Sequence, residues 1–208
     1  MTTNDPEADA GDGATSTVIE PTRLASFSDG VIAVIITIMV LQFAVPQGGR
    51  LTDLIPLIPT FLSYALSFVF VGIYWNNHHH LIRATERIDP RVMWTNLHLL
   101  FWLALIPFAT AWLGAPGHYL MTWPVFLYGL LCLVIGVSYR FLQQAIAQAN
   151  PGLAFSDRIR RDYKGLGSVA IYAVGCGLAF VAPLVSIALY AAVAIIWSIP
   201  DRRLIQGQ

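Results

Sequence analysis

The chain has 208 residues, 56% of them hydrophobic and only 12% charged, with a mean hydropathy of +0.63 and a formal net charge of zero. Soluble domains carry about 25% charged residues, so the composition excludes an ordinary soluble domain and describes an integral membrane protein. Zero net charge argues against an electrostatic nucleic-acid binder, and Cys132 and Cys176, each inside an apolar run, read as small buried hydrophobes, with no disulfide framework or CxxC metal pattern.

Residues 1–21 are rich in Ala, Gly, Thr, Asp and Glu and hold almost nothing to bury, which predicts a disordered tail. They lack the basic start and apolar core of a signal peptide, so the first apolar segment has to direct insertion itself. That segment starts at Arg23-Leu24-Ala25-Ser26-Phe27-Ser28-Asp29-Gly30 and continues to Val45, with Pro46, Gly48 and Gly49 ending it. It is expected to be a transmembrane helix with a charged, polar foot. At about 100° per residue, Phe27, Gly30, Val34, Ile38, Leu41 and Val45 form one narrow stripe with Thr37 on its flank. Ser28 and Asp29 fall off that stripe, toward neighbouring helices. A carboxylate beside a membrane span is costly and usually paired, while an acid in a first helical turn is also favoured by the macrodipole; spacing leaves both readings of Asp29 open.

A polar connection, Gln47 to Asp53, precedes a second uncharged stretch from Leu54 to Trp75, about 22 residues and about 33 Å of helix. Pro56 and Pro59 stand in its first turns, where a missing amide donor costs least. Val71-Gly72-Ile73-Tyr74 superficially resembles a carbonyl-lined potassium filter. A filter needs a re-entrant loop, however, and this tetrapeptide lies inside a full-length span. The span leads into Trp75-Asn76-Asn77-His78-His79-His80 and then Arg83, Glu86, Arg87, Asp89 and Arg91. Adjacent histidines on a helix point about 100° apart, so three in a row cannot all face one ion, and only His98 and His118 remain elsewhere.

The third predicted span is Val92 to Leu113, with Pro107 expected to kink it. Asn96 near its start lies at the depth of the histidines and Asp29. Unpaired polar groups are expensive in lipid, so a buried cluster of Arg23, Ser28, Asp29, His78 or His79, and Asn96 is expected. Gly114 to Gly117 reads as a turn and Tyr119 to Leu142 as the fourth span. A polar connection, Gln143 to Lys164, carries Pro151-Gly152 and the basic group Arg158, Arg160, Arg161 and Lys164, an ordinary orientation signal beside a membrane. About 35 uncharged residues follow to Pro200, too long for one helix across a core of about 30 Å. A hairpin broken at Pro183 gives two short spans, Gly167 to Ala182 and Leu184 to Ile199, before Asp201-Arg202-Arg203. The expectation is an all-α membrane protein: a tail over 1–21, six spans within 22–203, and a C-terminal tail over 204–208. Eleven of the twelve Lys and Arg residues fall on one side and only Arg50 on the other, which predicts a multi-pass cell-membrane protein with both termini cytoplasmic.

No span holds the acids or lysines that a proton-coupled pump would be expected to use, and no soluble catalytic domain is evident. The Val34, Ile38, Leu41 column suits neighbouring helices, lipid, or symmetry copies of itself; copies around an axis would stack it into hydrophobic rings that gate by dewetting.

Arg23-x-x-x-Phe27-Ser28-Asp29 at the start of a first membrane helix resembles the signature of the transmembrane protein 175 family, the endosomal and lysosomal potassium channels and their prokaryotic relatives. Motif, position and the following hydrophobic run occur together. Phe155-Ser156-Asp157, by contrast, lacks the arginine and lies in a polar connection, so it is read as chance. The Asn96 to Trp102 and Pro107 to Thr110 stretches also resemble the family. The resemblance implies a Trp and His group at the end of the second helix that hydrogen-bonds the foot, matched by Trp75, His78 and His79, with the frame between the two histidines open. It further implies six spans, a homotetramer around the first helices, and potassium conduction without a conventional filter. The constriction would fall on Val34, Ile38 and Leu41, with Thr37 linked to selectivity; Val34 is smaller than the Ile or Leu the family leads one to expect. The sequence thus reads as a potassium-permeable cation channel, not an enzyme, whose partners are potassium ions, the lipid bilayer and three further copies, with no cofactor, metal or nucleic acid. The alternatives are a small secondary transporter and a His-dependent membrane enzyme.

Overall fold

The computed structural model describes residues 20–152 and 163–198. Most of the N-terminal tail, Phe155-Ser156-Asp157, the basic residues Arg158, Arg160 and Arg161, Asp201-Arg202-Arg203 and the C-terminal tail lie outside the described residues. Among the described residues every regular element is helical.

The first helix, α1 (Pro21–Ile38), has Pro21 in its first turn, where the ring's fixed φ suits a helix start. Its Leu24, Ala25, Ser28, Ile32 and Ile35 are buried against α2 (Ile58–Arg83) and α3 (Pro90–Leu103). The expected helix to Val45 stops short. It tightens into a 3₁₀ turn over Met39–Gln42, and Phe43 is extended at φ −75°, ψ 112°. Pro46 disfavours helical backbone at the residue before it, and Thr37 Oγ1 lies 3.0 Å from both the Ala33 and Val34 carbonyl oxygens, a back-bonding pattern that bends helices.

A 3₁₀ segment, Leu51–Leu57, leads into α2; Asp53 Oδ2 accepts the Arg50 amide at 2.9 Å at its start. The α2 helix continues past Trp75 through all three histidines to Arg83, so Val71 to Tyr74 is ordinary helix. The third span is interrupted, not merely kinked: α3 ends at Leu103 and α4 (Ile106–Gly114) restarts two residues later. Pro107 has no amide to offer the Leu103 carbonyl and its ring crowds it, while the Leu105 amide tightens onto Trp102 O at 3.2 Å.

Gly117, at φ 78°, makes the turn before α5 (Thr122–Ala149), which runs two turns beyond Leu142. Asn150 at its end accepts the Arg87 amide at 2.8 Å and donates to the Arg87 carbonyl at 3.0 Å, fastening the α2–α3 connection to α5. The last two helices, α6 (Tyr163–Leu178) and α7 (Pro183–Ser198), form the hairpin that breaks at Pro183. Among the described residues, four segments are long and apolar enough to cross a membrane: Pro21–Gln42, Leu51–Arg83, Pro90–Gly114 and Thr122–Ala149. The hairpin helices have 16 residues each, about 24 Å of rise.

Small and polar residues knit the bundle core. Thr60 donates to the Gly114 carbonyl at 2.8 Å, and Ser67 Oγ stands 2.7 Å from Thr110 Oγ1 and 3.0 Å from Tyr128 Oη. The Tyr190 ring is seated against Gly129 and Gly175, where any Cβ would collide with it.

Candidate functional site

The foot of α1 is held by two separate sets of hydrogen bonds. On the buried side, Asn96 Nδ2 donates to Ser28 Oγ at 2.9 Å, and Ser28 Oγ in turn donates to the Leu24 carbonyl at 2.9 Å. The Asn96 Oδ1 atom lies 2.6 Å from His78 Nε2; an amide oxygen only accepts, so Nε2 carries the proton. Ser28 and Asn96 have no exposed surface and His78 is 1% exposed. On the more open side, Trp75 Nε1 donates to Asp29 Oδ1 at 3.0 Å and His79 Nδ1 lies 3.3 Å from Asp29 Oδ2. Both histidines are therefore used, one for each neighbour of the Ser28-Asp29 pair. His80 is exposed, so the three histidines diverge as adjacent helical positions must.

Arg23 does not enter this cluster. Its side chain is exposed and makes no hydrogen bond or ion pair among the described residues. Arg23 and Phe27 are one turn apart, so they share a face, and Phe27 is also exposed. Helical position overrides the demand for pairing here: a residue on the stripe side cannot reach the side that carries Ser28.

Above the foot, α1 has two faces of similar greasiness and opposite burial. Ile32, Ile35 and Met39 are buried, whereas Val34, Ile38 and Leu41 are 58%, 41% and 79% exposed. Thr37 beside them is exposed too. Because Met39–Gln42 is 3₁₀ helix, with about three residues per turn, Leu41 lies nearly over Ile38. Val45 has left the helix and no longer belongs to the stripe.

The family described as Endosomal/lysosomal potassium channel TMEM175 matches residues 23–107, from the foot arginine to the proline of the broken third span. A protein of Chryseobacterium sp. strain P1-3 bearing the name potassium channel is 42% identical over 88% of this chain and 94% of its own length. This chain belongs to the TMEM175 potassium channel family.

A potassium channel of Streptomyces collinus is 29% identical over 85% of this chain and 90% of its own. The crystal structure of a lysosomal potassium-selective channel TMEM175 homolog from Chamaesiphon minutus superimposes with a TM-score of 0.71 at 26% identity, covering 86% of this chain and 96% of that one. As a TMEM175 family member, the chain is a multi-pass membrane channel protein and not an enzyme. The sequence reading missed one polar set in this fold, the Ser67, Thr110 and Tyr128 contact at the bundle centre. Its signal was present: Thr60, Ser63 and Ser67 recur at helical spacing inside an otherwise apolar span, the small-polar pattern of packed membrane helices.

Proposed function

We propose that four copies of this chain surround an axis with α1 innermost and conduct potassium through stacked rings of Val34, Ile38 and Leu41. The observation that carries this reading is the unburied ridge on α1: its opposite face is packed into the subunit while these three aliphatic side chains stay open. Rings of such residues close a pore by excluding water and pass ions when they widen. Thr37 offers hydroxyl oxygens at the level of the rings and takes the selectivity role. The foot is a structural clamp, with Arg23 and Phe27 on the side that neighbouring copies share. The charge distribution, eleven of twelve basic residues on one side, supports a cell-membrane protein with cytoplasmic termini.

Recording of the purified protein in planar bilayers under opposed potassium and sodium gradients tests the reading. The expected result is a cation current with a reversal potential favouring potassium. Saturable coupled flux without current would instead indicate a transporter and end the pore assignment.

A further inference from the structure

Where the first turns of α3 pass the last turns of α5, the two helices leave an open groove of about 480 Å³, within the roughly 300 to 1,000 Å³ of small-molecule sites. All eight residues that line it belong to these two helices. Its walls are Trp94 of α3 and Phe141 of α5, which are 67% and 50% exposed. Among the lining residues Arg91 is the single charged one and no acid is present. The Arg91 side chain is exposed and makes no hydrogen bond or ion pair among the described residues, its carbonyl alone being taken, by Thr95 Oγ1 at 2.8 Å. Gln144 and Gln148 complete the polar edge; one turn apart, they share a face of α5, and both are exposed. Asp89, the acid next to Arg91 in sequence, does not line the groove, and its Oδ1 accepts the Val92 amide at 2.8 Å.

We propose that this groove binds an anionic phospholipid of the surrounding bilayer, its phosphate at Arg91 and its first chain carbons between Trp94 and Phe141. The charged run from Arg83 to Asp89 ends just before α3, so Arg91 and Trp94 stand where headgroups meet hydrocarbon, the level at which tryptophan anchors membrane helices. A guanidinium presents five donors in a planar fork that suits phosphate oxygens, and the Gln144 and Gln148 amides can reach the glycerol hydroxyls of a headgroup. The open side decides for a lipid over a soluble anion. Two exposed aromatic walls on membrane helices would face hydrocarbon, and a lipid fills such a groove while its chain ends remain in the bilayer. Basic pockets between membrane helices select anionic headgroups in this way. Trp94 and Asn96 point about 200° apart around α3, so the groove lies on the face turned away from the foot, and the proposal holds whether or not the chain conducts.

Full-length protein in nanodiscs of equal phosphatidylglycerol and phosphatidylcholine, with a trace of either lipid carrying a diazirine on its first chain carbons, tests it. Adducts are mapped by peptide mass spectrometry. In wild type the groove segments, the start of α3 and the end of α5, should take label from phosphatidylglycerol about fivefold over phosphatidylcholine, the preference that one cation near a headgroup supplies. Arg91→Gln, a change to an exposed side chain, should bring that ratio to about one, while Arg91→Lys keeps most of it. Arg83→Gln, equal in charge change and outside the groove, should leave it near fivefold. Equal labelling by the two lipids in wild type overturns the proposal, as does an Arg91→Gln protein that keeps the preference or an Arg83→Gln protein that loses it. Replacing chloride by inorganic phosphate at equal ionic strength should leave the ratio unchanged; a fall to about one also overturns the proposal, since a free anion would then be the occupant.

Discussion

Asn96 Nδ2 donates to Ser28 Oγ at 2.9 Å across the boundary between α3 and α1, with both residues fully buried. The next residue, Asp29, faces about 100° away and is gripped by α2 through Trp75 and His79. Two grips at adjacent positions from different helices fix the rotation of α1 about its axis, and that rotation decides which side chains above the foot stay open.

Removing the buried grip should cost more than removing the open one. Asn96→Ala leaves Ser28 and His78 without their shared partner in a dry site, worth about 1 to 3 kcal/mol, whereas Trp75→Phe removes one donor from a half-open carboxylate. The thermal midpoint of the detergent-solubilised protein should fall by several degrees for Asn96→Ala and by clearly less for Trp75→Phe.

Asp29→Ala and Arg23→Ala should both weaken assembly, by different routes. The first frees α1 from α2; the second changes only an exposed side chain on the ridge side, so its subunit should stay folded. Size-exclusion chromatography with light scattering should show smaller species for both. Full-size oligomers with normal currents would remove these residues from the assembly.

Ile38→Asn and Leu41→Ala should enlarge single-channel current and loosen the preference for potassium over sodium, because each lowers the cost of water at one ring. Unchanged conductance and reversal potential in bilayer recordings would count against those rings.

Gly129→Ala and Gly175→Ala should each destabilise the bundle by about 1 to 3 kcal/mol, the usual cost of overpacking, because their Cβ positions overlap the Tyr190 ring. Gly167→Ala meets nothing within 4 Å and should be neutral or stabilising by about 0.5 to 1 kcal/mol through helix propensity. Unfolding followed by tryptophan fluorescence separates the three.

Much of this fold was legible in the sequence because lipid leaves few choices: uncharged runs of the right length have to be helices, and Pro183 had to divide the last one. The foot was legible in part. Depth and the cost of unpaired polar groups pointed to Ser28, Asp29, Asn96 and the histidines. The same argument drew in Arg23, which helical angle keeps out. The frame between His78 and His79 was not readable because both are used, each by a different neighbour. The end of α1 was misplaced for a further reason: an apolar run carries no mark of where α winding tightens to 3₁₀, and Leu41 and Val45 look equally helical until the backbone around Phe43 and Pro46 is known.

That tightening gives the loop after α1 a hold on the ridge. Three residues of 3₁₀ winding complete one full turn, whereas three of α winding fall about 60° short, so rewinding Met39–Gln42 would swing Leu41 sideways with Ile38 left in place. The last aliphatic layer is thus aimed by the tether that follows it rather than by the helix beneath, and lengthening the stretch from Phe43 to Gly49 would re-aim one layer alone.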